Sequence, residues 1–203
     1  MNYQLLADIL HIDDFIIEEE AVVDEAITTP LRPLYIEKIY LYPDLIERLA
    51  NDIVLDLEGK EFDIIYTIEA SVLPLAALIA VHMGVPLTII RKTSNFKHEG
   101  KEPEIFLRSD YSNKKGLLFD DAVWSGKTLN MACDIIARQN IKIQESYFVF
   151  DFLDFKGGKE LKREAETLLK KHSCWIKYQE LLEICRKEEL LSEAGYAGIM
   201  KLF

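Results

Sequence analysis

Positive charge is in short supply: 24 Lys and Arg stand against 35 Asp and Glu, for a formal charge of −11. Such a chain lacks the broad basic face that sequence-independent nucleic-acid binding needs, so nucleic acid is set aside as a partner. Cysteine is scarce too. Cys133, Cys174 and Cys185 are widely separated and odd in number, which leaves no zinc-ligand spacing and no disulfide framework, and fits a reducing, cytoplasmic location. No apolar run reaches membrane-spanning length. The longest, residues 71–85, is interrupted by His82 and Gly84, and neither a secretory leader nor a membrane partner is expected. Internal repeats and low-complexity linkers are missing as well. What is left is a chain of 203 residues, 49% hydrophobic and 29% charged. That is one globular domain, with room for a small flanking part, long enough to bury a real core.

Within it, strand and helix signals alternate. Residues 62–68, 85–90, 117–119 and 143–152 read as buried strands. Helical patterns fill 70–83, with Pro74 in the first turn and Gly84 as terminator, and 126–139. Strands separated by helices predict an α/β fold, a parallel sheet flanked by helices, whose ligands bind beyond the carboxyl ends of the strands. Three loops fall at such ends: 69–72, 91–101 and 120–128. Gly157-Gly158 is the best candidate boundary. Beyond it, residues 159–172 and 178–191 read as helices with stripes of Leu, more suited to packing than to chemistry.

The richest stretch is Leu117-Leu118-Phe119-Asp120-Asp121-Ala122-Val123-Trp124-Ser125-Gly126-Lys127-Thr128. An apolar strand ends in two carboxylates, and a short loop then opens a helix. Helix N-terminal amides lack intrahelical partners and carry positive partial charge, so they suit a phosphate. Ser125 and Thr128 add hydroxyl donors, and Gly126 permits close backbone approach. Asp120 and Asp121 can accept hydrogen bonds from ribose hydroxyls or hold Mg²⁺ indirectly. A Walker A loop would need Gly where Asp121 stands.

This stretch resembles the phosphoribosyl-pyrophosphate (PRPP) signature of type I phosphoribosyltransferases, closest to the orotate and adenine members. The resemblance implies a PRPP-binding α/β core over residues 61–156, an N-terminal hood region over 1–60 and a helical C-terminal extension over 157–203. It implies that Asp120 and Asp121 hold the ribose, and that Ala122, Val123, Trp124, Ser125, Gly126, Lys127 and Thr128 wrap the 5′-phosphate. Glu69, Ala70, Ser71 and Val72 resemble the pyrophosphate loop of the adenine enzymes, with Ser71 and Val72 in place of Arg and Gly. Arg91 and Lys92, at the end of the second strand, would attend the same pyrophosphate. In the 91–101 loop, which is rich in basic residues, Lys97-His98-x-Gly100 resembles the mobile catalytic loop of the orotate enzymes. By that resemblance Lys97 and His98 are the catalytic pair, reaching the PRPP of a neighbouring subunit. Residues 28–53, with Pro33-Leu34-Tyr35 and Pro43-Asp44-Leu45, resemble the orotate enzymes' N-terminal region more loosely.

The family reading implies transfer of the 5-phosphoribosyl group from PRPP to a nucleobase with release of pyrophosphate. Mg²⁺ is the implied cofactor, held through PRPP with Asp120 or Asp121 behind it, and a homodimer is the implied assembly. Trp124 stands where hypoxanthine-guanine enzymes carry an Asp, which disfavours that substrate class. Met131 stands where orotate enzymes carry a carboxylate-binding Arg. Orotate is still preferred to a purine on the strength of the loop and the N-terminal region. The alternative is a non-catalytic PRPP-sensing regulator on the same fold, favoured by the altered pyrophosphate loop, Met131 and the C-terminal extension.

Overall fold

The protein is described as a computed structural model over residues 1–13, 15, 18–23, 27–31, 35–91, 114–123, 126–153 and 163–200. Its N-terminal part contributes helix α1 (Tyr3–Leu10), a hairpin of β1 (Glu18–Val23) and β2 (Ile27–Leu31), a 3₁₀ turn (Ile36–Leu41) and helix α2 (Pro43–Leu57). The core then runs β3 (Ile64–Ile68), α3 (Leu73–Met83), β4 (Leu87–Ile90), β5 (Lys115–Val123), α4 (Lys127–Arg138) and β6 (Lys142–Asp151). It closes with α5 (Arg163–Leu169), β7 (His172–Lys177), α6 (Tyr178–Lys187) and α7 (Glu193–Met200).

β3 to β7 form one sheet in the order β4-β3-β5-β6-β7, with every pairing parallel. The four expected strands are all present. β5 runs on through both carboxylates rather than stopping at Phe119. Pro74 lies in the first turn of α3, and Gly84 ends it in the left-handed conformation at φ 65°.

The region after Gly158 corrects the reading of helices alone. α5 and α6 lie inside the two helical patterns, but between them residues 172–177 form the fifth strand, paired to β6. Its sequence, His-Ser-Cys-Trp-Ile-Lys, carries two β-favouring side chains, Trp175 and Ile176, both buried. It is too short to show a period against the helices on either side.

Right-handed crossovers explain where the helices go. The chain leaves β3 toward one sheet edge through α3, then returns to the other side of β3 and moves toward the opposite edge through α4. Reversing direction puts the two helices on opposite faces. One face packs α1, the 3₁₀ turn, α2, α3 and α6 around Ile65, Leu117, Phe119 and Tyr147. The other packs α4 and Ala165 of α5 around Ile64, Tyr66, Leu118 and Phe148. Between β3 and β5 the order reverses, and helices diverging to either side leave a crevice at the carboxyl ends of the strands.

Registers along β5 are regular against β3, but not against β6. Gly116 pairs with Ile143 and Leu117 with Glu145, so Gln144 is an extra residue, a bulge near the start of β6. Above it Phe119 faces Tyr147, with rings stacked at 5.8 Å, and Asp120 stands beside Phe148.

Candidate active site

Both signature loops meet at the crevice. Neighbouring strand residues point to opposite faces, so the two carboxylates part company. Asp120, only 7% exposed, lines an open cleft with Ala122, Val123, Gly126, Lys127, Thr128, Leu129 and Phe148. Its Oδ1 also accepts the Asp121 N–H at 3.1 Å. Gly126 caps α4 with φ 80°, in the left-handed region that glycine enters without strain. The cleft therefore has a buried carboxylate on one wall and the N-terminal turn of a helix on another.

Asp121 turns the other way. Its Oδ2 accepts the Ser71 hydroxyl at 2.5 Å, and its Oδ1 accepts the Ala122 N–H at 2.9 Å. Ser71 lies in the turn between β3 and α3. There the Glu69–Ala70 peptide bond is cis, the Glu69 N–H is tied to the Ile90 carbonyl at 3.1 Å, and the Leu73 N–H donates to the Ala70 carbonyl at 3.2 Å. The Ser71 carbonyl accepts the Tyr40 hydroxyl at 2.6 Å. Burial, and next the negative charge of Asp121, push the Tyr40 phenol up, so it stays a donor.

Glu69, Ala70, Ser71, Asp120, Asp121, Ala122, Gly126, Lys127 and Thr128 thus gather at one end of the sheet. Val72 and Val123 belong there by backbone only, since their side chains are buried in the core. Arg91 is exposed just after the end of β4. Lys92, Lys97, His98, Trp124 and Ser125 lie outside the described residues. Tyr40 and Phe148 were missed by sequence reasoning. Phe148 was recoverable in principle from strand register, whereas the Tyr40 contact spans 31 positions and leaves no local signal.

The acids and Ser71 are acceptors and small polar groups, the chemistry that receives vicinal hydroxyls or the water shell of a hard cation. Among the described residues no three His, Cys, Asp or Glu side chains cluster to hold a metal. A Mg²⁺ near Asp120 or Asp121 would therefore take most of its ligands from a substrate's phosphates and from water.

The sequence model of the phosphoribosyl transferase domain matches residues 36–178. The chain belongs to that family. It is similar to the xanthine phosphoribosyltransferase of Finegoldia magna, 24% identical over 168 residues that cover 74% of this chain and 88% of the relative. It is similar as well to the orotate phosphoribosyltransferase of Sulfurisphaera tokodaii, 27% identical over 165 residues that cover 80% of each. Among solved structures, the orotate phosphoribosyltransferase from Aeropyrum pernix superposes with a TM-score of 0.67 at 14% identity, covering 88% of this chain and 96% of that one. That last likeness concerns the fold: the type I phosphoribosyltransferase arrangement, an all-parallel sheet flanked by helices. No helix among the described residues is long and apolar enough to cross a membrane.

Proposed function

We propose that this phosphoribosyltransferase transfers the 5-phosphoribosyl group from PRPP to a nucleobase and releases pyrophosphate. One observation carries the reading: the Asp120 carboxylate and the N-terminal turn of α4 share a single cleft at the end of β5, the strand beside the topological switch point. A phosphate on the α4 amides sets its sugar against Asp120, whose carboxylate accepts ribose hydroxyls. Asp121, Ser71 and the Glu69–Val72 turn lie on the side where the pyrophosphate leaves. Mg²⁺ bound with PRPP would neutralise charge on the departing pyrophosphate. The chain's own residues then act mainly by positioning and by electrostatics, as an oxocarbenium-like transition state requires.

We assign Arg91 and Lys92 to the pyrophosphate, Trp124 and Ser125 to the phosphate loop, and Lys97 with His98 to the leaving-group side of a neighbouring subunit's site in a cytoplasmic homodimer. Residues 1–60 form the hood over residues 61–156, and α7 of the 157–203 extension comes into contact with β2 of that hood. For the base, orotate is preferred to a purine. The relatives support no single base, since one is named for xanthine and another for orotate. Met131 packs partly buried on the α4 side and brings no cation to the base.

A specific observation favours a second reading, a PRPP sensor without catalysis: Ser71 gives its proton to Asp121 rather than presenting a cation to a pyrophosphate. Calorimetry with Mg²⁺-PRPP, followed by a pyrophosphate-release assay over orotate, uracil, adenine, hypoxanthine, guanine and xanthine, decides between them. Turnover with one base supports the enzyme. Tight PRPP binding without turnover supports the sensor, and no PRPP binding sinks both.

A further inference from the structure

Ser71 stands where the pyrophosphate loop it resembles carries Arg, and here that position is turned to another use. A serine hydroxyl has one proton, and Ser71 gives it to Asp121 Oδ2. Asp121 Oδ1 is held independently by the Ala122 N–H. A carboxylate turns freely about its last torsion, because that well is broad. Donors on both oxygens fix its plane. The backbone of Ser71 is in turn held by Tyr40 from the 3₁₀ turn. Three segments distant in sequence are thereby joined in a line: the 3₁₀ turn, the turn after β3, and the acid pair of β5.

We propose that Tyr40 and Ser71 are positioning residues that lock the second acid of the pair to the turn after β3, so that the two loops of the site move as one unit. The ligand consequence rests on the PRPP reading above, while the mechanical linkage does not. Ser71 Oγ keeps its lone pairs free of this bond, so a ligand hydroxyl or a metal-bound water meeting it is a donor. The linkage thus makes the crevice wall between β3 and β5 a surface of acceptors.

Two measurements test this. In ligand-free protein, Tyr40→Phe should speed amide exchange at Leu73, inside the turn, and also at Ala122, whose N–H rests on Asp121. Faster exchange at Leu73 with Ala122 unchanged overturns the linkage, whatever the protein binds. In calorimetry with Mg²⁺-PRPP, Ser71→Ala should weaken binding on the order of tenfold, the scale of a hydrogen bond to a charged group. Ser71→Thr, which restores the hydroxyl, should return affinity to within about threefold of the native chain. Added to Asp121→Asn, Ser71→Ala should cost less than about twofold more, because the pair acts together. Full additivity overturns the proposal. If the native chain itself does not bind PRPP, the proposed function falls, and the exchange data alone judge the linkage. Should Ser71→Ala fail to fold, Tyr40→Phe takes its place in the same cycle.

Discussion

Replacing Asp120 by Asn separates charge from shape. The amide is nearly isosteric, and its Oδ1 still accepts the Asp121 N–H that Asp120 holds at 3.1 Å. The strand end should therefore keep its form, with a melting temperature within about 2 °C of the native chain. What disappears is the negative charge and one acceptor in a cleft where this residue is only 7% exposed. A hydrogen bond to an ionised group contributes about 1.5–3 kcal/mol, which at 25 °C is roughly a 10- to 150-fold loss of affinity. Calorimetric titration with Mg²⁺-PRPP should read that loss, with ionic strength held constant because the ligand is highly charged. Competition by inorganic phosphate provides the internal control: in the proposed reading the phosphate rests on the start of α4, so its apparent affinity should not fall in the variant. A PRPP affinity within twofold of native, at unchanged melting temperature, would remove Asp120 from the site and with it the reading of the cleft.

Three further expectations are independent of ligand. Gly116→Ala places a Cβ 2.5 Å from Tyr66 Cε2 and 2.9 Å from Ile143 Cδ1. Chemical denaturation should show a loss of about 1–3 kcal/mol from this overpacking, and an undiminished midpoint would mean that the Tyr66 ring moves freely. Burial pushes the Cys174 and Cys185 thiols up to about 12 each, so at pH 8 only on the order of one in ten thousand is thiolate. A disulfide reagent should modify them slowly in the native protein and rapidly in denaturant, and equal rates would contradict the burial of Cys185 and the partial burial of Cys174. His172 Nδ1 donates to the Leu169 carbonyl at 2.5 Å while Nε2 faces Asp151 Oδ2 at 3.1 Å, an arrangement that suits the imidazolium. The hydrogen bond to Asp151 raises the His172 pKa above its ordinary 6.5, against burial. Burial opposes the change at Asp151, yet hydrogen bonds from His172 and the Leu153 N–H hold its carboxyl below the ordinary 3.8. The pair's contribution is thus complete between those ordinary values. It fades as pH rises through the elevated His172 pKa, or falls through the depressed Asp151 pKa. Thermal melts of His172→Asn should be flatter above pH 6.5 than those of the native chain, and parallel curves would refute the coupling.

Much of this was legible in the sequence because it is local. Apolar runs bounded by Gly84 and Gly126 marked strands and helix ends, and two adjacent carboxylates at a strand end marked the cleft. What stayed hidden is set by tertiary placement. A strand ending at Phe119 assigns Asp120 and Asp121 one role, whereas β5 runs through both and alternation sends them to opposite sides. Yet which of them meets the α4 cleft depends on strand order, which no window of residues encodes. Ser71 read as a lost arginine, and its bond to a residue 50 positions away reverses that impression. β7 escaped because six residues between two helical patterns show no period of their own.

The extra residue at Gln144 has a consequence well away from where it sits. Side chains along a strand keep a two-beat rhythm, and a single added step inverts every later beat. The bulge therefore sets the phase of β6 before the strand reaches the crevice. With it, Phe148 arrives beneath the cleft and Tyr147 lies against Phe119 on the far face. Without that extra step, Lys142 and Ile143 could not sit beside Lys115 and Gly116 while Tyr147 sits beside Phe119 and Phe148 beside Asp120.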